Sequence, residues 1–323
     1  MSEDTRAIDA AHDISAHAAA RERKGRTRPG GRAGDRSGRQ AWWKILLGGL
    51  GLYLTATLLL AGSGAPELVP TVLVLGAFLP PVSVAAFLYE RGALPASLLP
   101  ILALAFLAGG TIGSVVAQLL EPRLPPTLGL SATLVVGLGE ELAKLVAIAW
   151  LLGRRAYGSM LHGILFGTAA GTGFAAFESM SFALTILQLH GDVAVMGEAL
   201  VARGVLAPLV HGTWAAIIGG VLWRESRGVR VRTSRPVWLA FIGVVVFHGL
   251  WEWSVSVVPL GIAVPGLSLA WLGVGLTVPD LWLPLPAVGI GLAGLGILAR
   301  LLREARRERD SLGTGSAEHG SAQ

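Results

Sequence analysis

The chain has 323 residues; 53% are Ala, Val, Ile, Leu, Met, Phe, Trp, Tyr or Cys and only 15% are Asp, Glu, Lys or Arg, with a mean hydropathy of +0.62. An average soluble domain is roughly 25% charged, so an ordinary soluble protein and a disordered one are both excluded. There is no cysteine, which removes disulfides, thiolate metal sites and cysteine nucleophiles. A formal charge of +5 and a pI near 10.2 would suit a nucleic-acid binder, but the placement of the charges argues otherwise.

Residues 1–42 read as a disordered, basic cytoplasmic tail. Eight basic residues crowd between Arg21 and Arg39, Gly and Pro interrupt the run, and no apolar stripe exists. A secretory signal peptide is not expected, because the polar stretch is too long and the next apolar segment reaches spanning length. Eight apolar segments follow, at 43–62, 69–89, 98–120, 131–152, 160–187, 203–223, 237–258 and 281–302. Each has about the 20 residues a spanning helix needs. The expected fold is therefore all-α, a polytopic membrane helix bundle of about eight transmembrane helices over 43–303, closed by a polar cytoplasmic tail at 304–323. Residues 259–280 are also apolar, but Pro259, Pro265 and Pro279 punctuate them. A ninth span there would put the C-terminal arginines outside, so a re-entrant or interfacial loop is expected.

Charge tests this topology. With the N-terminus inside, the cytoplasmic segments hold ten Lys or Arg through Lys44, then Arg91, then Arg154 and Arg155, five from Arg224 to Arg235 and five from Arg300 to Arg309. Only Arg123 and Arg203 fall outside, and Lys144 lies within a span. Every loop obeys the positive-inside rule. The basic pI is topological, no nucleic-acid partner is needed to explain it, and both termini are expected in the cytoplasm.

The spans contain Glu140, Glu141, Lys144, Glu178 and Glu252, with His211 and His248. A charge at the bilayer centre costs about 2.5–3.5 kcal/mol on insertion scales, so these residues are expected to face one another and not lipid. At 1.5 Å per residue, Glu140 and Glu178 lie roughly 14 Å from the outer ends of their spans, His211 roughly 12 Å and His248 roughly 15 Å. Four helices thus bring Glu, Glu, His and His to one depth, slightly outside the midplane. Glu140 and Lys144 are four apart and Glu141 and Lys144 three apart, so one carboxylate can pair with the ammonium and leave the other free. His248 and Glu252 are also four apart, which lets Glu252 orient the imidazole. Such an acidic cluster must hold protons, imidazolium or a cation, and two histidines with a carboxylate suit a catalytic zinc. Gly163, Gly167 and Gly171 form a small-residue ridge whose simplest use is close helix packing. Trp251 and Trp253 lie toward the outer interface, where aromatic anchoring is the default. Glu67, Glu121, Asp192 and Glu198 read as solvated loop charges, and neither His162 nor His190 is given a role.

At these residues the sequence resembles the PrsW family of intramembrane proteases. The matching stretches are Gly139-Glu140-Glu141-Leu142-Ala143-Lys144, an EExxK motif; Phe174-Ala175-Ala176-Phe177-Glu178, an FxxxE motif; Arg203 with His211 eight residues on; and His248-Gly249-Leu250-Trp251. They occur in order over about 131–255. Relatives of that family, the CAAX-prenyl and bacteriocin-processing membrane proteases, carry EExxxR and FxxxH instead. The last motif usually ends in Trp-Asp, whereas this chain has Glu252, one methylene longer.

The resemblance implies peptide hydrolysis in the membrane of a bacterium, with Glu140, Glu141, Glu178, His211 and His248 as catalytic residues and Lys144, Phe174, Arg203, Trp251 and Glu252 in support. Glu140 is the expected general base, although Glu141 can exchange roles with it. The histidines would bind a metal, with Glu178 as third ligand and zinc as cofactor, or donate to the oxyanion in a glutamic mechanism. The implied partner is a single-pass or membrane-proximal protein within the lipid bilayer, and family analogy points to first-site cleavage of an anti-sigma factor. Two rivals use the same cluster: a scaffold that grips substrate helices without cutting them, and a proton- or ion-coupled transporter.

Overall fold

The computed structural model describes residues 41–92, 96–120, 129–154, 159–226, 231–258, 261–264, 267–268, 277–278 and 281–318. Apart from Ala41 and Trp42, the expected basic tail lies outside them. Eight long helices are described: α1 (Ala41–Ser63), α2 (Val69–Gly92), α3 (Leu99–Leu120), α4 (Leu130–Arg154), α5 (Met160–His190), α6 (Val193–Ser226), α7 (Arg235–Val257) and α8 (Leu285–Glu318). Seven are long and apolar enough to cross a membrane, and together they make an all-α polytopic bundle. The exception is α4, which carries Glu140, Glu141 and Lys144. Its 25 residues would reach about 37 Å, so length is no obstacle. Its charges are turned inward, with Glu140 at 1% exposure and Glu141 and Lys144 at 0%. The opposite face shows Val135, Leu138, Leu142, Val146 and Trp150 to the surroundings, a continuous apolar stripe at helical spacing. What sets α4 apart is therefore its number of charges, and Glu140, Glu141 and Lys144 are all interior.

The central element is α5, most of which is buried. The glycine ridge explains how it can be. An added Cβ on Gly163 would strike the Gly219 carbonyl of α6, one on Gly167 the Ala215 carbonyl, and one on Gly171 the His211 carbonyl. On the other flank Gly173 meets the Phe106 carbonyl of α3. Backbones approach this closely only where side chains are absent. The helix stops at Gly191, which adopts φ 65° and returns its N–H to Leu187 O; this left-handed cap favours glycine.

α6 begins at Val193, ten residues before the expected span start. The extra turns are held by Met196 and Leu200, which pack with Tyr53 and Leu60 of α1 and Val72 of α2. Glu198, expected in a loop, is consequently helical. α8 likewise runs on to Glu318, so the described part of the polar C-terminal segment continues the last helix.

Between α7 and α8, strand β1 (Gly261–Val264) pairs antiparallel with β4 (Leu281–Pro284), and β2 (Leu267–Ser268) with β3 (Thr277–Val278). Gly261 faces Pro284 and Leu267 faces Val278, so the two described ladders share one register. A two-stranded ribbon leaves outer backbone groups that hydrocarbon cannot satisfy. The described part of 259–280 is thus not a ninth spanning helix.

Candidate active site

The cluster is assembled by α4, α5, α6 and α7. From α4, Lys144 Nζ donates to Glu141 Oε1 at 2.6 Å and lies 3.9 Å from Glu140 Oε2. It also reaches His211 Nδ1 of α6 at 3.0 Å and sits 3.9 Å from the centre of the Phe174 ring of α5. Glu141 Oε1 takes a second contact from His248 Nδ1 of α7 at 2.8 Å. Glu178 of α5 places Oε2 2.5 Å from Arg203 and 3.2 Å from His211 Nε2, and Arg203 Nε donates to Ser179 Oγ at 3.3 Å. All of the catalytic residues expected from the sequence are therefore together, with Lys144, Phe174 and Arg203 among them.

These contacts fix the imidazoles. An ammonium has only donors, so His211 Nδ1 accepts from Lys144 and Nε2 donates to Glu178. Glu141, paired with Lys144, is an acceptor, so His248 Nδ1 carries the proton and Nε2 presents its lone pair. That lone pair lies 3.4 Å from Glu140 Oε2. Among the described residues Glu140 Oε2, though buried, has no hydrogen-bond partner. Two acceptors thus face each other, both on buried side chains. Glu140, Glu141, Glu178 and Glu252 against Lys144 and Arg203 leave a formal −2 with neutral histidines. One divalent cation, or protons, would balance it.

A cation fits this donor set. In tetrahedral zinc sites, with zinc–nitrogen and zinc–oxygen bonds near 2.0–2.2 Å, neighbouring ligands lie about 3.3–3.5 Å apart, the separation of Glu140 Oε2 and His248 Nε2. Glu140, His211 and His248 offer ligand atoms all within 4.8 Å of one another. Drawing His211 in requires Lys144 to yield Nδ1 or Glu178 to yield Nε2. The Glu141–His248 contact is the carboxylate–imidazole arrangement that orients metal-binding histidines.

Two differences from the sequence reading follow. The group whose ligand atoms lie within 4.8 Å of one another holds Glu140 with His211 and His248, while the sequence offered Glu178, which contacts Arg203 and His211. The carboxylate on His248 is Glu141 of another helix, and not Glu252 one turn away. Spacing along one helix says which residues share a face, but not that a neighbouring helix brings a nearer partner.

Sequence reasoning also missed Trp214. Its ring lies 4.9 Å from His248, 5.5 Å from His211 and 6.2 Å from Trp251, and it is fully buried. A signal existed: His211-Gly212-Thr213-Trp214 and His248-Gly249-Leu250-Trp251 repeat the same His-Gly-x-Trp pattern. In each copy the glycine meets a neighbour directly, Gly212 against Thr172 of α5 and Gly249 against Leu134 of α4.

Carboxylates and imidazoles gathered from four apolar helices, with Glu140 Oε2 buried and without a hydrogen-bond partner, are groups that intramembrane hydrolysis can use. A family model described as the PrsW family intramembrane metalloprotease matches residues 97–280, more than half the chain and all four helices that build the cluster. The chain belongs to that family and is a multi-pass intramembrane peptidase. No curated protein and no solved structure is found to match it.

Proposed function

We propose that the chain hydrolyses a peptide bond in a membrane-anchored protein at a centre formed by Glu140 and His248. The observation that carries this is the buried 3.4 Å pair of Glu140 Oε2 and His248 Nε2. Glu140 takes the proton of the attacking water and returns it to the departing amine. Glu141, held by Lys144, keeps the lone pair of His248 aimed at that centre. Glu178, held by Arg203, accepts from His211 Nε2 and so keeps the His211 lone pair, at Nδ1, on Lys144. The Lys144 ammonium supplies positive potential in a water-poor interior, where developing negative charge is most costly. A zinc ion held by His211, His248 and Glu140 Oε2 would supply Lewis-acid activation of the water and would leave Glu140 Oε1 to take the proton; the formal −2 of the cluster supports a divalent ion.

Charge bias supports both termini in the cytoplasm, a basic tail at 1–42 and a site nearer the outer face. The resemblance to PrsW proteins supports a bacterial cell membrane and an anti-sigma factor as substrate, with this cut as the first in its removal. Metal analysis of the purified chain, joined to cleavage of a membrane-anchored substrate before and after chelation, tests the reading. Loss of cleavage on chelation and recovery with zinc is expected. A metal-free chain that cuts at full rate would leave only the glutamic form.

A further inference from the structure

One carboxylate of the cluster has no task in the mechanism. The partner of His248 is Glu141, which leaves Glu252, one turn further along α7. Among the described residues the Glu252 side chain makes no hydrogen bond and no ion pair; only its backbone carbonyl is engaged, by Ser256 Oγ at 2.8 Å. Unlike Glu140 Oε2, neither of its carboxylate oxygens is sealed in, and the residue is partly exposed.

The cluster opens beside this carboxylate. The side chains of Glu140, Glu141, Lys144, His211 and His248 are at most 2% exposed, whereas Glu178 is 16% and Arg203 22% exposed. Glu252 lies within electrostatic range of Glu178 and Arg203, and of Glu140 and His248. Arg203 is already engaged: it pairs with Glu178, donates to Ser179 and lies over the Phe182 ring at 4.8 Å. Glu178 and Arg203 cancel, so Glu252 leaves this side one negative charge in excess. A carboxylate in a membrane span is costly and is normally paired, so its occupant is a cation. A metal ion takes several converging oxygens, and Glu252 offers one carboxylate beside a guanidinium. The residue stands five positions from the end of α7 at Val257, roughly 8 Å in, deeper than a lipid headgroup amine sits. A lysine or arginine of a membrane segment reaches that depth on its own apolar stem.

We infer that Glu252 determines specificity: its carboxylate binds a lysine or arginine side chain of the substrate, close to the scissile bond. The register follows from the helix. Glu252 lies about 6 Å along α7 from His248, and an extended strand advances about 3.3 Å per residue. The basic residue therefore falls about two positions from the cut, toward the Val257 end of α7. The inference rests on the protease reading and adds to it a substrate class, a membrane segment with a basic residue beside the cut.

The test uses the full chain in phosphatidylcholine nanodiscs, whose lipid carries no net charge to attract a basic peptide. The probes are fluorescent Ala/Leu transmembrane peptides of about 20 residues that differ at one position, Lys, Gln or Glu, set at the depth of Glu252. Binding is measured on the Glu140→Gln chain, which should leave the peptides uncut. The lysine peptide is expected to bind about tenfold more tightly than the glutamine peptide, the factor that one charge-assisted hydrogen bond supplies. Adding Glu252→Gln should bring that ratio close to one. Glu252→Lys should turn the preference to the glutamate peptide, and Glu252→Asp should keep the preference for lysine. Each ratio is taken within one chain, so a general loss of folding cancels. A purely structural Glu252 would weaken all three peptides alike, and that result overturns the inference. So does a ratio near one with Glu252 present, or a lysine peptide that does not bind. Cleavage by the unsubstituted chain is followed in parallel. A lysine preference that depends on Glu252, with no peptide cut, sinks the protease reading and leaves the cation site. Cleavage of the lysine and glutamine peptides alike, with equal binding, sinks the cation site alone.

Discussion

Replacing Lys144 by Met tests whether the cluster is one buried electrostatic unit. Met preserves much of the stem and removes the charge. Nζ lies 2.6 Å from Glu141 Oε1, 3.0 Å from His211 Nδ1 and 3.9 Å from both Glu140 Oε2 and the Phe174 ring centre. All of these side chains are buried. Removing one partner of a buried pair costs about 3–5 kcal/mol, because the other charge is stranded. The ring contact adds up to about 2 kcal/mol when desolvated, though a single ammonium makes every contact and the two figures do not simply add. A loss of about 3–5 kcal/mol is therefore expected, a large share of the roughly 5–15 kcal/mol that holds a typical protein folded. Reversible unfolding in mixed micelles measures it. Adding Glu141→Gln removes the stranded carboxylate, so the double variant should recover about 2 kcal/mol relative to the sum of the singles. A Lys144→Met loss below about 1 kcal/mol, the scale of an exposed pair, would refute the reasoning. So would additivity of the two substitutions within about 0.5 kcal/mol.

Other parts of the account have their own expected outcomes. Gly167→Leu drives a side chain into the Ala215 carbonyl of α6 and should cost about 1–3 kcal/mol or more; Gly296→Leu, where a Cβ meets nothing within 4 Å, should stay within about 0.5 kcal/mol, and equal melting shifts would contradict the packing argument. Glu141→Gln should weaken zinc binding about 10–100-fold in calorimetry, since that carboxylate orients His248; unchanged affinity would remove Glu141 from that role. Reporter fusions at both ends should be active only in the cytoplasm, and an externally active C-terminal fusion would contradict the charge-based topology.

Much of the architecture was legible because membrane helices declare themselves by length and hydropathy. α4 was found the same way, although its three charges lower its hydropathy, and those charges marked the site. The common depth of Glu140, Glu178, His211 and His248 brought the right helices together, even though α6 starts ten residues before the end from which the depth of His211 was counted. The convergence survived because Arg203 and His211 stand on one continuous helix. Pairings across helices were not legible. That Glu141 serves His248, or that Arg203 occupies Glu178, depends on helix rotation and on the glycine contacts that set how closely α5 and α6 approach. The strand pairs after α7 were missed for another reason: their apolar residues fit a strand, a loop or a span equally well, and the prolines exclude only an uninterrupted helix.

The central claim is that Glu140 carries the proton in peptide hydrolysis. The most direct measurement is the single-turnover cleavage rate of Glu140→Gln against wild type in proteoliposomes, with melting curves recorded on both. Glutamine keeps the size of the side chain and removes its basicity. The account predicts cleavage slower by about 100-fold or more, a barrier higher by about 3 kcal/mol, with melting little changed. Cleavage within about threefold of wild type, under 1 kcal/mol in the barrier, would contradict it.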